Sequence, residues 1–324
     1  MPRKLIRAVR FAAGVLSRPA LRAFVPLAGA IAIAMAAAAP SWAAPVRIVT
    51  TTTDLAALAT AVGGDKVEVS ALVPPGFNAD LYSPRPSDLF KIHQARLFIQ
   101  VGLGLEDWAR DLVNQANNSN LVKAQVSYQI PLLDVPQGHV DYSFGDIHPY
   151  GNPHYQLDPE CGRIMARNIF NALSYTDPAD KDYFAANVAA FDAQLSAAET
   201  KWRAEMAPYA GVKFVPYHES WDYFARAFKL EVPTTIESKP GFVPSPRRIE
   251  EVIQLCKTDK VRLIVTEPYY DVSIAKLIAE QAGVPYLNLP IDVGGVAQQK
   301  DYISMVDYIV SQFVAVLGKQ SHAG

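Results

Sequence analysis

Cysteine is scarce in this 324-residue chain: there are two, Cys161 and Cys256. They allow one disulfide at most, and their positions on opposite sides of a long helical pattern make two buried thiols at least as good an expectation. A strong charge excess is also missing. The net charge is −2 with a basic leader included, so nucleic acid and anionic membrane are poor candidate partners. No Gly-x-Ser-x-Gly elbow and no phosphate-binding loop ending in Lys-Ser or Lys-Thr occurs, which removes the common serine-hydrolase and nucleotide-hydrolase readings. Gly102-Leu103-Gly104 opens like a dinucleotide fingerprint, but Asp107 stands where the third glycine belongs. It reads as a tight strand-to-helix turn. His218-Glu219-Ser220-Trp221-Asp222 likewise lacks the second histidine of the helical zinc-protease motif.

Only one long apolar run is present, and it lies at the start. Arg3, Lys4, Arg7, Arg10, Arg18 and Arg22 precede the small apolar residues Val25 to Ala39, and Ser41-Trp42-Ala43 forms a small-x-small cleavage site. This is the pattern of a secretory signal peptide, too short to span a bilayer. No cysteine sits at the junction, so no lipid anchor is expected there. The exported chain would begin near Ala44 and comprise 281 of the 324 residues, enough for two domains of ordinary size.

The longest helical pattern runs from Pro178 to Ala207. Asp177 offers an N-cap, and Phe184, Val188, Phe191, Leu195, Ala198, Trp202 and Met206 recur at spacings of three and four. Strands and helices alternate on either side of this rod. In the first half, strands are expected at Val46 to Thr50, Val67 to Val73, Arg96 to Val101 and Val126 to Leu133, with Asp54 capping the first helix. In the second half they are expected at Val212 to Tyr217, Leu230 to Thr235, Arg262 to Thr266 and Tyr286 to Leu289. The predicted fold class is therefore α/β: two Rossmann-like lobes with parallel four-stranded sheets, joined by one long rigid α-helix, with a ligand cleft between them. The expected boundaries are a signal peptide over 1–43, an N-terminal lobe over 44–176, the linking helix over 177–208 and a C-terminal lobe over 209–324.

Asp80, His154, His218 and Asp292 each follow an expected strand. Singly, a loop aspartate is usually a turn or cap residue and a lone histidine a satisfied surface residue. Two sheets facing across the helix would bring all four into one cleft, and two imidazoles with two carboxylates suit a divalent ion. Tyr217, Glu219 and Glu267 are candidates for orienting the imidazoles. His139 and His148 read as solvated loop residues, with His148 the substitute should Asp80 not bind. Four protein ligands close a site and argue against an enzyme; a three-ligand site with water is the route to a metallohydrolase.

The segments PGFNADLYSPRPSD (75–88), GLGLEDW (102–108), NPHYQLDP (152–159) and YHESWDYF (217–224), then Thr266-Glu267-Pro268 and Asp292, come in a recognisable order. In that order they resemble the metal-binding solute-binding proteins of bacterial ABC importers, the zinc- and manganese-type group (cluster A-I). The likeness covers essentially the whole exported chain. It implies one divalent metal ion as transported ligand, a cognate ABC permease with its cytoplasmic ATPase as partner, periplasmic location and a monomer. By the resemblance His154, His218 and Asp292 are the second, third and fourth ligands. Asp80 replaces the family's usual first histidine, and a carboxylate is itself a competent ligand. Zinc ranks first, with manganese or ferrous iron next because a carboxylate favours a harder ion. A periplasmic metal buffer, or a partnership with a metallochaperone, would use the same chemistry.

Overall fold

A computed structural model describes residues 44–138 and 148–321. The leader and His139 lie outside the described residues. No helix among those described is long and apolar enough to cross a membrane.

The first sheet contains β1 (Val46–Thr50), β2 (Val67–Ala71), β3 (Leu97–Gln100) and β4 (Val122–Gln125) in the order β2-β1-β3-β4. All its pairs are parallel. Its connections are α1 (Thr53–Gly63), α2 (Pro86–Gln94) and α3 (Asp107–Gln115). The second sheet, β5 (Phe214–Pro216), β6 (Leu263–Thr266) and β7 (Tyr286–Asn288), is parallel in the order β5-β6-β7. It has three strands where four were expected. The apolar stretch Leu230 to Thr235 joins it by a single bridge, Lys213 to Glu231, and Pro233 lacks the N–H that would continue a ladder.

β4 also lies earlier than its expected place. Val126 and Ile130 are buried in the core, but Gln129 takes a left-handed φ of 63° and Pro131 follows. The apolar run fills space as a loop, while the alternating Val122–Gln125 makes the edge strand.

Between the sheets, α4 (Pro159–Thr176) precedes the long rod. The rod opens with a 3-10 turn over Pro178–Asp180, continues as the 26-residue α5 (Lys181–Met206), and ends in a second such turn over Ala207–Tyr209. At about 1.5 Å per residue α5 is roughly 39 Å long. Asp177 makes no side-chain capping bond. Phe184, Phe191, Leu195, Trp202 and Met206 are the buried face, packed on α1, α4 and α9 (Tyr302–Ser321). Arg163 of α4 holds Asp192 and Glu199 of α5, and Asp307 of α9 accepts from Trp202 Nε1 at 2.8 Å. Tyr302 lies so close to Gly162 that an added Cβ would sit 2.2 Å from its hydroxyl oxygen. The remaining helices are α6 (Asp222–Phe228), α7 (Pro246–Thr258) and α8 (Val272–Ala282). Both cysteines are buried and unbridged.

Candidate metal centre

The parallel strands deliver their polar residues from their carboxyl ends. Asp80 lies in the loop after β2, His218 directly after β5 and Asp292 after β7. His148 and His154 lie on the segment between β4 and α4. A short turn from His148 to Gly151, with Gly151 at φ 116°, holds the first of these imidazoles.

Asp80, His148 and His154 offer ligand atoms that all lie within 4.8 Å of one another. His148 Nε2 is 3.2 Å from Asp80 Oδ1, and both atoms are buried. His218 joins through His154, with the two Nε2 atoms 3.3 Å apart. Metal bonds of about 2.0–2.1 Å at tetrahedral angles place neighbouring donors roughly 3.3–3.4 Å apart. Both separations, 3.2 and 3.3 Å, are close to that edge.

His148, expected as a solvated loop residue, is 5% exposed and sits inside the cluster. Nothing periodic marks it, because its burial comes from the fold of a Pro- and Gly-containing loop. Asp292 borders the same cavity as Asp80 and His154. Its Oδ2 accepts from Gly76 N at 2.6 Å, while its Oδ1 has no partner among the described residues.

The surroundings set donor states. Burial drives the His154 imidazole down to about 3, leaving it neutral with a lone pair to give. Burial opposes charge on Asp80 too, but contact with His148 and the nearby His154 and His218 hold it at about 2. Burial likewise disfavours protonated His218; the Glu237 carboxylate on its Nδ1, helped by Asp80, overrides this and raises it to about 9. That contact is 3.0 Å long, and both residues are buried. Nδ1–H donation to Glu237 aims Nε2 into the site. Glu237 was not singled out in the sequence, although it lies two residues past the strand expected at Leu230 to Thr235. Of the expected orienting residues, Glu267 instead accepts from Trp221 Nε1 at 3.0 Å, and Tyr217 stacks on Tyr270. The Glu219 carbonyl accepts from Asn152 Nδ2 at 2.8 Å, and Asn152 Oδ1 accepts from His154 N at 2.9 Å. Asn152 therefore ties the His154 segment to the residue beside His218.

Fold and cluster together define a class: a parallel α/β protein whose two sheets, spanned by one long helix, gather buried nitrogen and oxygen donors at their strand ends. The chain belongs to the family described as the periplasmic component A of the zinc-uptake complex, whose model matches residues 48–316. The high-affinity zinc uptake system protein ZnuA of Yersinia pestis is 25% identical over 305 residues, covering 89% of this chain and 96% of its own. The manganese ABC transporter substrate-binding lipoprotein PsaA of Streptococcus pneumoniae is 27% identical over 268 residues, covering 80% and 84%. A solved ZnuA deletion mutant with zinc bound superposes with a TM-score of 0.72 at 26% identity, over 84% of this chain and 98% of that one.

Proposed function

We propose that this chain is an extracytoplasmic solute-binding protein that captures one divalent transition-metal ion, zinc before manganese or ferrous iron, and delivers it to an ABC permease driven by a cytoplasmic ATPase. One observation carries the reading: buried donors at 3.2 and 3.3 Å, close to the edge of a tetrahedron around a small ion. Asp80, His154 and His218 are its proposed ligands. The fourth place goes to His148 by proximity, or to Asp292 by its place in the sequence pattern. The importer relatives, named for zinc and manganese, support the choice of ligand and partner.

Donors drawn from both sides of the long helix would let the ion hold the cleft shut. Withdrawing one side removes several bonds together, so a small movement suffices for release. In this reading 44–176 and 209–324 are the lobes, and 177–208 is the rigid link. The leader over 1–43 is removed, leaving a periplasmic monomer with no lipid-anchoring cysteine.

The test is elemental analysis after exposure to equimolar zinc, manganese and ferrous iron without oxygen, on the wild type and on Asp80→Ala, His148→Ala, His154→Ala and Asp292→Ala. One equivalent of zinc is expected in the wild type, sharply reduced in Asp80→Ala and His154→Ala. The greater loss between His148→Ala and Asp292→Ala identifies the fourth ligand. A wild type that retains no metal would overturn the reading.

A further inference from the structure

The segment that carries Glu237 is not a strand, yet it holds that carboxylate against His218. It bonds beside β5 at its two ends. Phe214 N donates to the Glu231 carbonyl at 3.0 Å, while Ile236 N and Glu237 N donate to the Pro216 and Tyr217 carbonyls at 2.8 and 3.0 Å. Between these ends Pro233 has no N–H to give, and residues 232–235 lie outside any strand.

Arg248, in the first turn of α7, spans that gap. Its Nη2 donates to Thr234 Oγ1 at 2.5 Å and to the Thr235 carbonyl at 2.6 Å, and its Nε to the Ile236 carbonyl at 3.4 Å. The Thr235 hydroxyl carries the bonding on to the Glu237 carbonyl at 2.6 Å. One guanidinium thus fixes three consecutive residues that lead into Glu237. Its rigid planar fork suits the task, whereas a lysine ammonium is a point charge on a flexible stem. Ile236 is fully buried in one cluster with Val252 and Ile253 of α7, so apolar packing joins the same two elements without the fork. Arg247, the neighbour of Arg248, is 90% exposed and donates to Glu251.

Resting on the reading of His218 as a metal ligand, we propose that Arg248 is a positioning residue for the metal centre. It sets the place of Glu237, whose Oε2 lies 3.0 Å from His218 Nδ1, and through Glu237 the direction in which His218 Nε2 points. The affinity of the site then depends on a residue whose own hydrogen bonds reach none of the proposed ligands.

The test is a double-mutant cycle on the wild type, Arg248→Met, Glu237→Ala and the double variant, with zinc affinity read by competition with a chelating indicator. Arg248→Met should weaken zinc about tenfold, the lower end of what losing an orienting partner costs. Where Glu237 is already alanine it should weaken zinc by less than about twofold. Arg248→Lys should fall between Arg248→Met and the wild type, and Arg247→Met should match the wild type. The metal-free protein gives a second readout by proton magnetic resonance. The His218 Nδ1–H, assigned by its loss in Glu237→Ala, should exchange with water about tenfold faster in Arg248→Met. Should circular dichroism show Arg248→Met unfolded, Arg248→Lys carries both comparisons. Equal losses of zinc affinity with and without Glu237, or an unchanged Nδ1–H exchange rate, would overturn the proposal. A wild type that binds no zinc but whose Nδ1–H exchange depends on Arg248 would sink the metal reading and leave this link standing.

Discussion

At the scale of single residues, the donor cluster depends on side chains that differ in how visible they are in the sequence. His154 and His218 stand out because each follows a strand pattern within a motif. His148 does not, since only tertiary packing buries it, and Glu237 is hidden because its role is to accept from His218 Nδ1 at 3.0 Å. Removing such an orienting acceptor from a ligating imidazole typically costs about 10–100-fold in metal affinity. Glu237→Ala should therefore keep one zinc equivalent but bind it about 10–100-fold more weakly, as measured by competition with a chelating indicator. In Glu237→Gln the amide oxygen still accepts from Nδ1 but lacks the charge, so that variant should lose less. Equal affinities in all three proteins would show that His218 is held by packing alone.

At the scale of elements, the alternation of strand and helix was legible because buried parallel strands read as short apolar runs and helices as stripes. Val46–Thr50 was placed to the residue. The errors at Val126 to Leu133 and Leu230 to Thr235 share one cause. Both runs are apolar enough for a strand, but each contains a proline, and burial alone cannot distinguish a ladder from a packed loop. Glu106 shows how the elements are fastened. Its Oε1 accepts from Thr51 Oγ1 and Val101 N, both at 2.6 Å, and its Oε2 from Gly102 N at 2.9 Å. The carboxylate thus joins the end of β1 to the turn between β3 and α3. Burial raises it to about 7, with Asp54 adding to the rise and these three donors opposing it. A raised carboxyl keeps its proton in the folded state while the unfolded chain releases it, so stability falls as pH rises from about 4.5 to about 7. A shift of that size corresponds to about 3 kcal/mol. Relative to Glu106→Gln, the wild type should lose about 3 kcal/mol between roughly pH 4 and pH 8 in denaturant titrations. A constant difference across that range would mean that Glu106 titrates alike in the folded and the unfolded chain.

At the scale of the whole molecule, two sheets and a joining rod do not mean two independent folding units. The main core runs without a break from Ile48 and Leu55, through Phe184, Leu195 and Trp202 of the rod, to Phe214, Leu263 and Phe313. The closing helix α9 packs on both α1 and α5, and Tyr302 donates to the Gln156 carbonyl at 2.8 Å. Neither sheet can lose its packing without exposing the rod that serves the other. Calorimetry of the metal-free protein should therefore show one transition whose van't Hoff and calorimetric enthalpies agree. A ligand bound only by the folded state adds RT ln(1 + [L]/Kd), about 4 kcal/mol at a free concentration near 1,000 Kd. For a chain of this size, each 1 kcal/mol raises the midpoint by about 2–4 °C. Zinc at that excess should move the whole transition up by roughly 10 °C as a single peak, and the chelated protein should return to the lower midpoint. Two peaks, only one of them responding to zinc, would show that the halves unfold separately and that the site is confined to one of them.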